Sequence, residues 1–160
     1  MPNALEIAEA PSRPLSRFLS FRILRAHLAL NAQAAAILED VAGVTLNQWR
    51  VISIVGSGDA RTTRALAAVS GLDPAVISRT IRTLEERGLI VATRLEEDRR
   101  TLALALTKAG AEVFDRTLPV MQARQQWLFD ALDPQERKTI LSSLEKIELA
   151  AERRNFADDL

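Results

Sequence analysis

The stretch from Thr62 to Thr107 constrains this chain most, because it sets two short helical patterns around a tight turn and follows them with two strand patterns. Thr62 or Thr63 can accept a hydrogen bond from an open amide of the first helical turn, and the helix they start is expected to bury Leu66 and Val69. Gly71 ends it. A residue without Cβ adopts the left-handed conformation cheaply, so the chain can leave one helix and turn sharply into the next. Asp73 then caps the second helix, and Pro74 stands at its first position, where the missing N–H is no loss and the fixed φ already suits a helix. Along that helix Ile77, Ile81 and Leu84 fall at i, i+4, i+7, whereas Ala75, Ser78, Arg79 and Arg82 fall at i, i+3, i+4, i+7 on a separate face. One face docks and the other is offered outward.

The outward face is small at its start, hydroxylated next and doubly cationic after that. This chemistry suits the major groove of DNA, since small residues allow close approach and an arginine can fork onto guanine O6 and N7. Gly88 closes the helix and Leu89, Ile90 and Val91 open a strand. The return strand alternates Leu102, Leu104 and Leu106 with Thr101, Ala103 and Ala105 at period two. Between the strands, the charged run from Arg94 to Arg100 is expected to form a turn that projects into solvent. Its adjacent Arg99 and Arg100 suit the negative potential of a narrow minor groove, and Asp98 is placed to hold the Arg100 guanidinium through a fork-like ion pair. A helix-turn-helix with such a wing is expected to meet DNA through Thr62, Arg64, Ala75, Ser78, Arg79, Arg82, Asp98, Arg99 and Arg100.

The stretch resembles the winged helix-turn-helix of MarR-family transcriptional regulators. The matching residues are Leu66-Ala67, Gly71-Leu72, Ser78-Arg79, Leu84-Glu85, Gly88-Leu89-Ile90, Asp98-Arg99-Arg100 and Leu106-Thr107 with Gly110. The resemblance implies that the Asp-x-Arg wing motif, here Asp98 and Arg100, places its arginine in the minor groove. It also implies that Leu106 to Gly110 enters the next helix, and that the chain works as a homodimer. A small aromatic or phenolic effector would lie between the dimerisation helices and the DNA-binding lobe, with Arg22, His27, Trp49 and Arg50 as pocket candidates.

The rest of the chain agrees with that frame. Apolar positions from Leu15 to Leu38 step by threes and fours, giving one long amphipathic helix, and Gly43 breaks the chain after it. Thr45 caps a shorter helix through Val55 with Trp49, Ile52 and Val55 inward, and residues 56–59 form the next turn. After the wing, Thr107 starts a helix carrying Phe114, Leu118, Met121, Gln125, Leu128 and Leu132 on one stripe; Pro119 inside it removes a backbone hydrogen bond and is expected to bend it. Asp133 and Pro134 open the last helix, with Ile140, Leu144, Ile147 and Ala151 at heptad spacing. Trp49 and Trp127 are expected to fill core or interface. The fold class is therefore mainly α with a small β-wing. Residues 1–14 are expected to form a flexible N-terminus and residues 15–160 one domain, with a DNA-binding lobe at 45–107 and dimerisation helices at 15–38 and 108–154.

Composition bounds the function. The chain of 160 residues has no cysteine, which excludes disulfides, thiolate metal sites and thiol redox sensing. With His27 as the only histidine, no phosphate-binding glycine loop and no metal-ligand cluster, no enzyme, metal or cofactor is expected. Neither a signal peptide nor an apolar run of the roughly 20 residues that span a bilayer is present, so a cytoplasmic location is expected. The 21 basic and 21 acidic side chains cancel, yet residues 61–100 hold eight basic against six acidic and residues 101–160 eight against ten. Long helices with unmatched seams want a second copy about a two-fold axis. Two recognition helices ~34 Å apart would then read an inverted repeat in double-stranded DNA, as expected of a repressor released by a small molecule. The alternative is a winged-helix module for protein contact or non-specific architectural DNA binding, which the neutral charge favours.

Overall fold

The computed structural model describes residues 15–94 and 102–153. A single 3₁₀ turn, Leu15–Arg17, precedes α1 (Leu19–Ala42), α2 (Leu46–Ser57), α3 (Thr63–Ser70) and α4 (Pro74–Glu86); β1 (Ile90–Arg94) and β2 (Leu102–Leu106) follow, then α5 (Lys108–Asp130) and α6 (Pro134–Ala150). The chain divides into two compact units, one ending at Phe114 and the other beginning at Asp115, so α1 groups with the helix-turn-helix and not with α6.

In the first unit the caps are those the sequence offers. The Thr45 hydroxyl accepts from the Gln48 amide while the Gln48 side chain accepts from the Thr45 amide, a complete capping box. Thr62 caps α3 through the Ala65 amide, and Asp73 caps α4 through the Ala75 amide. Leu38, Val44, Val51, Ile52, Leu66 and Leu84 are fully buried and form the core, joined by Trp49, Val55, Ile77, Ile81 and Leu104.

Three expectations need correction. The first helix does not run from Leu15 to Leu38: Leu15 belongs to the separate 3₁₀ turn, and α1 continues to Ala42 because neither Gly nor Pro interrupts it before Gly43. Gly43 ends it at φ 59°, with its amide on the Glu39 carbonyl. Val69 is not buried but 57% exposed. The inward line of α3 passes from Leu66 to Ser70, whose hydroxyl accepts from the Leu72 amide at 3.2 Å, so the i+4 position faces in rather than i+3. The second helix does not stop at Val55 but continues to Ser57, so residues 56 and 57 are helical and not part of the turn. Trp127, 63% exposed, is left to the interface half of its expectation.

The strands pair antiparallel with Ile90 opposite Leu106 and Arg94 opposite Leu102. A third segment, unforeseen from the sequence, lies along β2: Thr62 bridges Ala103, the Leu104 amide donates to the Arg61 carbonyl at 2.8 Å, and the Leu102 amide donates to the Thr63 hydroxyl at 3.1 Å. At the other end of the hairpin Thr107 binds the α4–β1 junction. Its hydroxyl donates to the Gly88 carbonyl at 2.6 Å and accepts from the Gly110 amide at 3.0 Å, while its own amide donates to the Leu89 carbonyl at 3.1 Å. Gly110 is required here by contact, since a Cβ would overlap the Leu89 carbonyl oxygen. This is the physical content of the Leu-Thr-x-x-Gly sequence.

In the second unit Asp133 and Glu136 form another capping box at the start of α6. Arg137 returns to the preceding turn, donating to the Leu132 carbonyl at 2.9 Å and pairing with Asp130 at 3.1 Å. No residue of α6 is buried, and Ile140, Leu141, Leu144 and Leu149 are exposed along it. Pro119 lies within α5 without ending it.

Candidate nucleic-acid interface

The candidate recognition surface is built on α4. Ile77, Ile81 and Leu84 hold its inner face with Thr80, whose hydroxyl is satisfied by the Val76 carbonyl at 2.8 Å. Burying three such aliphatic side chains stabilises the docked helix by about 1.5–3 kcal/mol each. That fixes the opposite face outward: Ala75, Ser78, Arg79 and Arg82 are all exposed.

Beside this face, α3, α4 and the start of β2 surround a hollow of about 520 Å³. Arg64, Ser78 and Arg82 stand around it with Thr63 and Glu85, over a floor that includes Ala67, Ile77 and Leu102. Three residues singled out from the sequence are thus brought to one place, and Ala75 and Arg79 share the same exposed helix. None of Arg64, Arg79 and Arg82 is ion-paired with a described residue, so their charge is available to phosphate or base. Thr62 is different: it is half-buried, and its hydroxyl oxygen accepts the Ala65 amide as the cap of α3. Asp98, Arg99 and Arg100 lie outside the described residues.

Two residues at the hollow were not singled out from the sequence as site candidates. Thr63 lines the hollow and receives the Leu102 amide, tying α3 to β2. Glu85 sits seven residues after Ser78 and accepts from the Ala92 amide at 3.2 Å, which ties α4 to the root of the wing. The i, i+7 spacing from Ser78 and the i, i+3 spacing from Arg82 were the available signals. Among the ligand candidates, Trp49 is 6% exposed and stacks on Phe114, with centroids 6.2 Å apart and planes 23° apart. His27 is exposed and hydrogen-bonded to Asn31 at 2.9 Å. Among the described residues no hydrogen bond or ring contact joins Arg22 or His27 to Trp49 or Arg50. No described group of acidic, His or Cys side chains is arranged to hold a metal, and no described helix is long and apolar enough to cross a membrane.

A helix-turn-helix whose second helix exposes unpaired arginines beside an antiparallel hairpin defines a winged-helix DNA-binding protein. The MarR family profile matches residues 42–101. Along most of its length the chain is similar to a protein described as a transcriptional regulator for the hcr operon of Thauera aromatica, 25% identical over 146 residues that cover 91% of this chain and 88% of the relative. Its fold matches the transcriptional repressor CouR bound to a 23-mer DNA duplex, with a TM-score of 0.73 and 27% identity over 88% of this chain and 99% of that one. It also matches the PcaV regulator of Streptomyces coelicolor in complex with its natural ligand, with a TM-score of 0.75 and 20% identity over 89% and 99%. Residues 42–101 thus match the MarR family, and over most of its length the chain is similar to DNA-binding transcriptional regulators.

Proposed function

We propose that this chain acts as a homodimeric repressor that reads an inverted repeat through α4 and releases it when a small molecule binds. The observation that carries the reading is the exposed face of Ala75, Ser78, Arg79 and Arg82 on a helix whose other face is locked into the core. Arg79 is assigned to a guanine edge, Arg64 and Arg82 to phosphates beside the hollow, and Arg100 with Asp98 to the minor groove. Thr62 is assigned to positioning α3, not to DNA.

Dimerisation is assigned to α1, α5 and α6. Exposed Leu15, Phe18 and Leu19 around the beginning of α1, Trp127 on α5, and Ile140, Leu144 and Leu149 on α6 support it, because so much apolar surface on helices is ordinarily covered. A two-fold axis would set the two α4 helices about 34 Å apart. The ligand-bound relative supports an effector, and Trp49, Arg50, His27 and Arg22 remain its assigned contacts.

The test is selection of genomic fragments with purified protein followed by footprinting. Protection of a short inverted repeat in two adjacent major grooves is expected, with affinity falling by about 0.9 log units per phosphate contact for each log unit of salt. Diffuse protection, or none, would reject the reading.

A further inference from the structure

Arg87 follows α4 directly and reaches back across the fold to a chain segment 44 residues earlier. Its Nη2 donates to the Gly43 carbonyl at 3.0 Å, and its Nη1 donates to Oε1 of Gln48 at 3.0 Å. Gly43 is the residue on which α1 ends, and Gln48 is a buried member of the α2 capping box. The same Gln48 oxygen accepts from the Thr45 amide at 2.9 Å, so the guanidinium completes an existing cap. One side chain therefore joins the C-terminus of α1, the N-terminus of α2 and the C-terminus of α4.

The residue type fits the place. The carboxyl ends of α1 and α4 both carry the partial negative charge of aligned peptide dipoles, which favours a cation between them and outnumbers the one opposing dipole at the amino end of α2. Both acceptors are neutral oxygens fixed by backbone structure, and a planar fork holds two of them at once where an ammonium would hold them less well. On the next two residues, Thr107 grips the Gly88 and Leu89 carbonyls from the start of α5. The end of the recognition helix is thus tied to α1 and α2 through Arg87, and to α5 through Thr107.

We propose that Arg87 is a positioning residue for DNA recognition: it touches neither base nor phosphate but sets the pitch of α4 against the end of α1. Any displacement of the α1 terminus is then passed to the helix that reads DNA. The inference rests on α4 being that helix.

The test compares wild type with Arg87→Ala, Arg87→Lys and Gln48→Glu on the selected duplex and on an unrelated duplex, across a salt series, with thermal unfolding measured alongside. Arg87→Ala is expected to lower affinity for the selected site about 3- to 30-fold. Its affinity for the unrelated duplex and its salt slope are expected to stay at wild-type values, because no phosphate contact is lost. Arg87→Lys, which keeps the charge and the alkyl stem but not the fork, shows the same selective loss and carries the comparison should the alanine variant not fold. Gln48→Glu keeps the acceptor and retains wild-type affinity. A salt slope reduced by about 0.9 in Arg87→Ala would make Arg87 a phosphate contact and overturn the proposal. So would a folded Arg87→Ala, or an Arg87→Lys, with unchanged affinity for the selected site. Wild-type protein with no preferred site would overturn the functional reading and this inference together, whereas variants that bind as wild type does overturn this inference alone.

Discussion

Gly110→Ala is the substitution whose effect the geometry determines most directly. The added Cβ overlaps the Leu89 carbonyl oxygen, lies 2.9 Å from the Leu89 carbonyl carbon and meets the Leu106 Cβ at 3.4 Å. The obstacle is backbone at the junction of α4 and β1, and no rotamer change relieves it. Either the first turn of α5 or the Leu89–Ile90 peptide must shift, which pulls apart the three hydrogen bonds of Thr107 at 2.6, 3.0 and 3.1 Å. Losing two or three of these at about 1 kcal/mol each, with some residual strain, gives roughly 2–4 kcal/mol. For a chain of this length that is a fall of about 5–15 °C in Tm. The measurement is calorimetry at fixed protein concentration, since an oligomer's melting temperature depends on it. Gly56→Ala is the control: its Cβ would come within 2.7 Å of the Phe114 ring, a side chain that can tilt at the expense of its stack on Trp49. It should cost less, about 1–3 kcal/mol. A Gly110→Ala protein that unfolds within ~2 °C of wild type, or a Gly56→Ala protein that is the less stable of the two, would refute this reasoning.

Arg79→Ala should weaken binding to the selected site by about 1–3 kcal/mol and abolish preference at one base-pair position, checked with single-substituted duplexes; intact preference at every position removes its assignment to a base. Leu144→Glu places a charge on the exposed apolar line of α6 and should shift the protein to monomer in sedimentation velocity, with loss of the two-site footprint; an unchanged dimer would take α6 out of the interface. Leu66→Ala, at a fully buried position under the helix-turn-helix, should lower stability by about 2–5 kcal/mol in denaturant titration, and a loss below ~1 kcal/mol would mean the site collapses around the gap.

The recognition helix was legible because every local signal agreed on it. Asp73, Pro74 and the separated stripes of Ile77/Ile81/Leu84 and Ser78/Arg79/Arg82 all specify the same start and the same face, and the structure places them so. The short α3 was harder. In an eight-residue helix a single valine can satisfy the periodicity, yet the tertiary neighbours took Ser70 inward and left Val69 in solvent. The end of α1 was misplaced because Glu39 and Asp40 broke the apolar count, although nothing in them breaks a helix. The long-range ties were invisible for a different reason. Arg87 to Gly43, Thr63 to Leu102 and Glu85 to Ala92 join residues whose partners are backbone groups, and a backbone group has no letter in a sequence. Arg64 and Arg82 could be named as cations, but only the packing of α3 on α4 brings them around one hollow.

The hairpin is small enough that its margins matter more than its centre. On the β2 side the outward amides of Leu102 and Leu104 are spoken for by Thr63 and Arg61, and on the β1 side that of Ala92 is held by the Glu85 carboxylate. A bare β-rim invites another polypeptide to extend the sheet, which is a common route to aggregation. Here three such donors are already satisfied from within the same lobe. At those three positions a recruited strand would find no free amide to pair with, so both margins of the hairpin resist extension there.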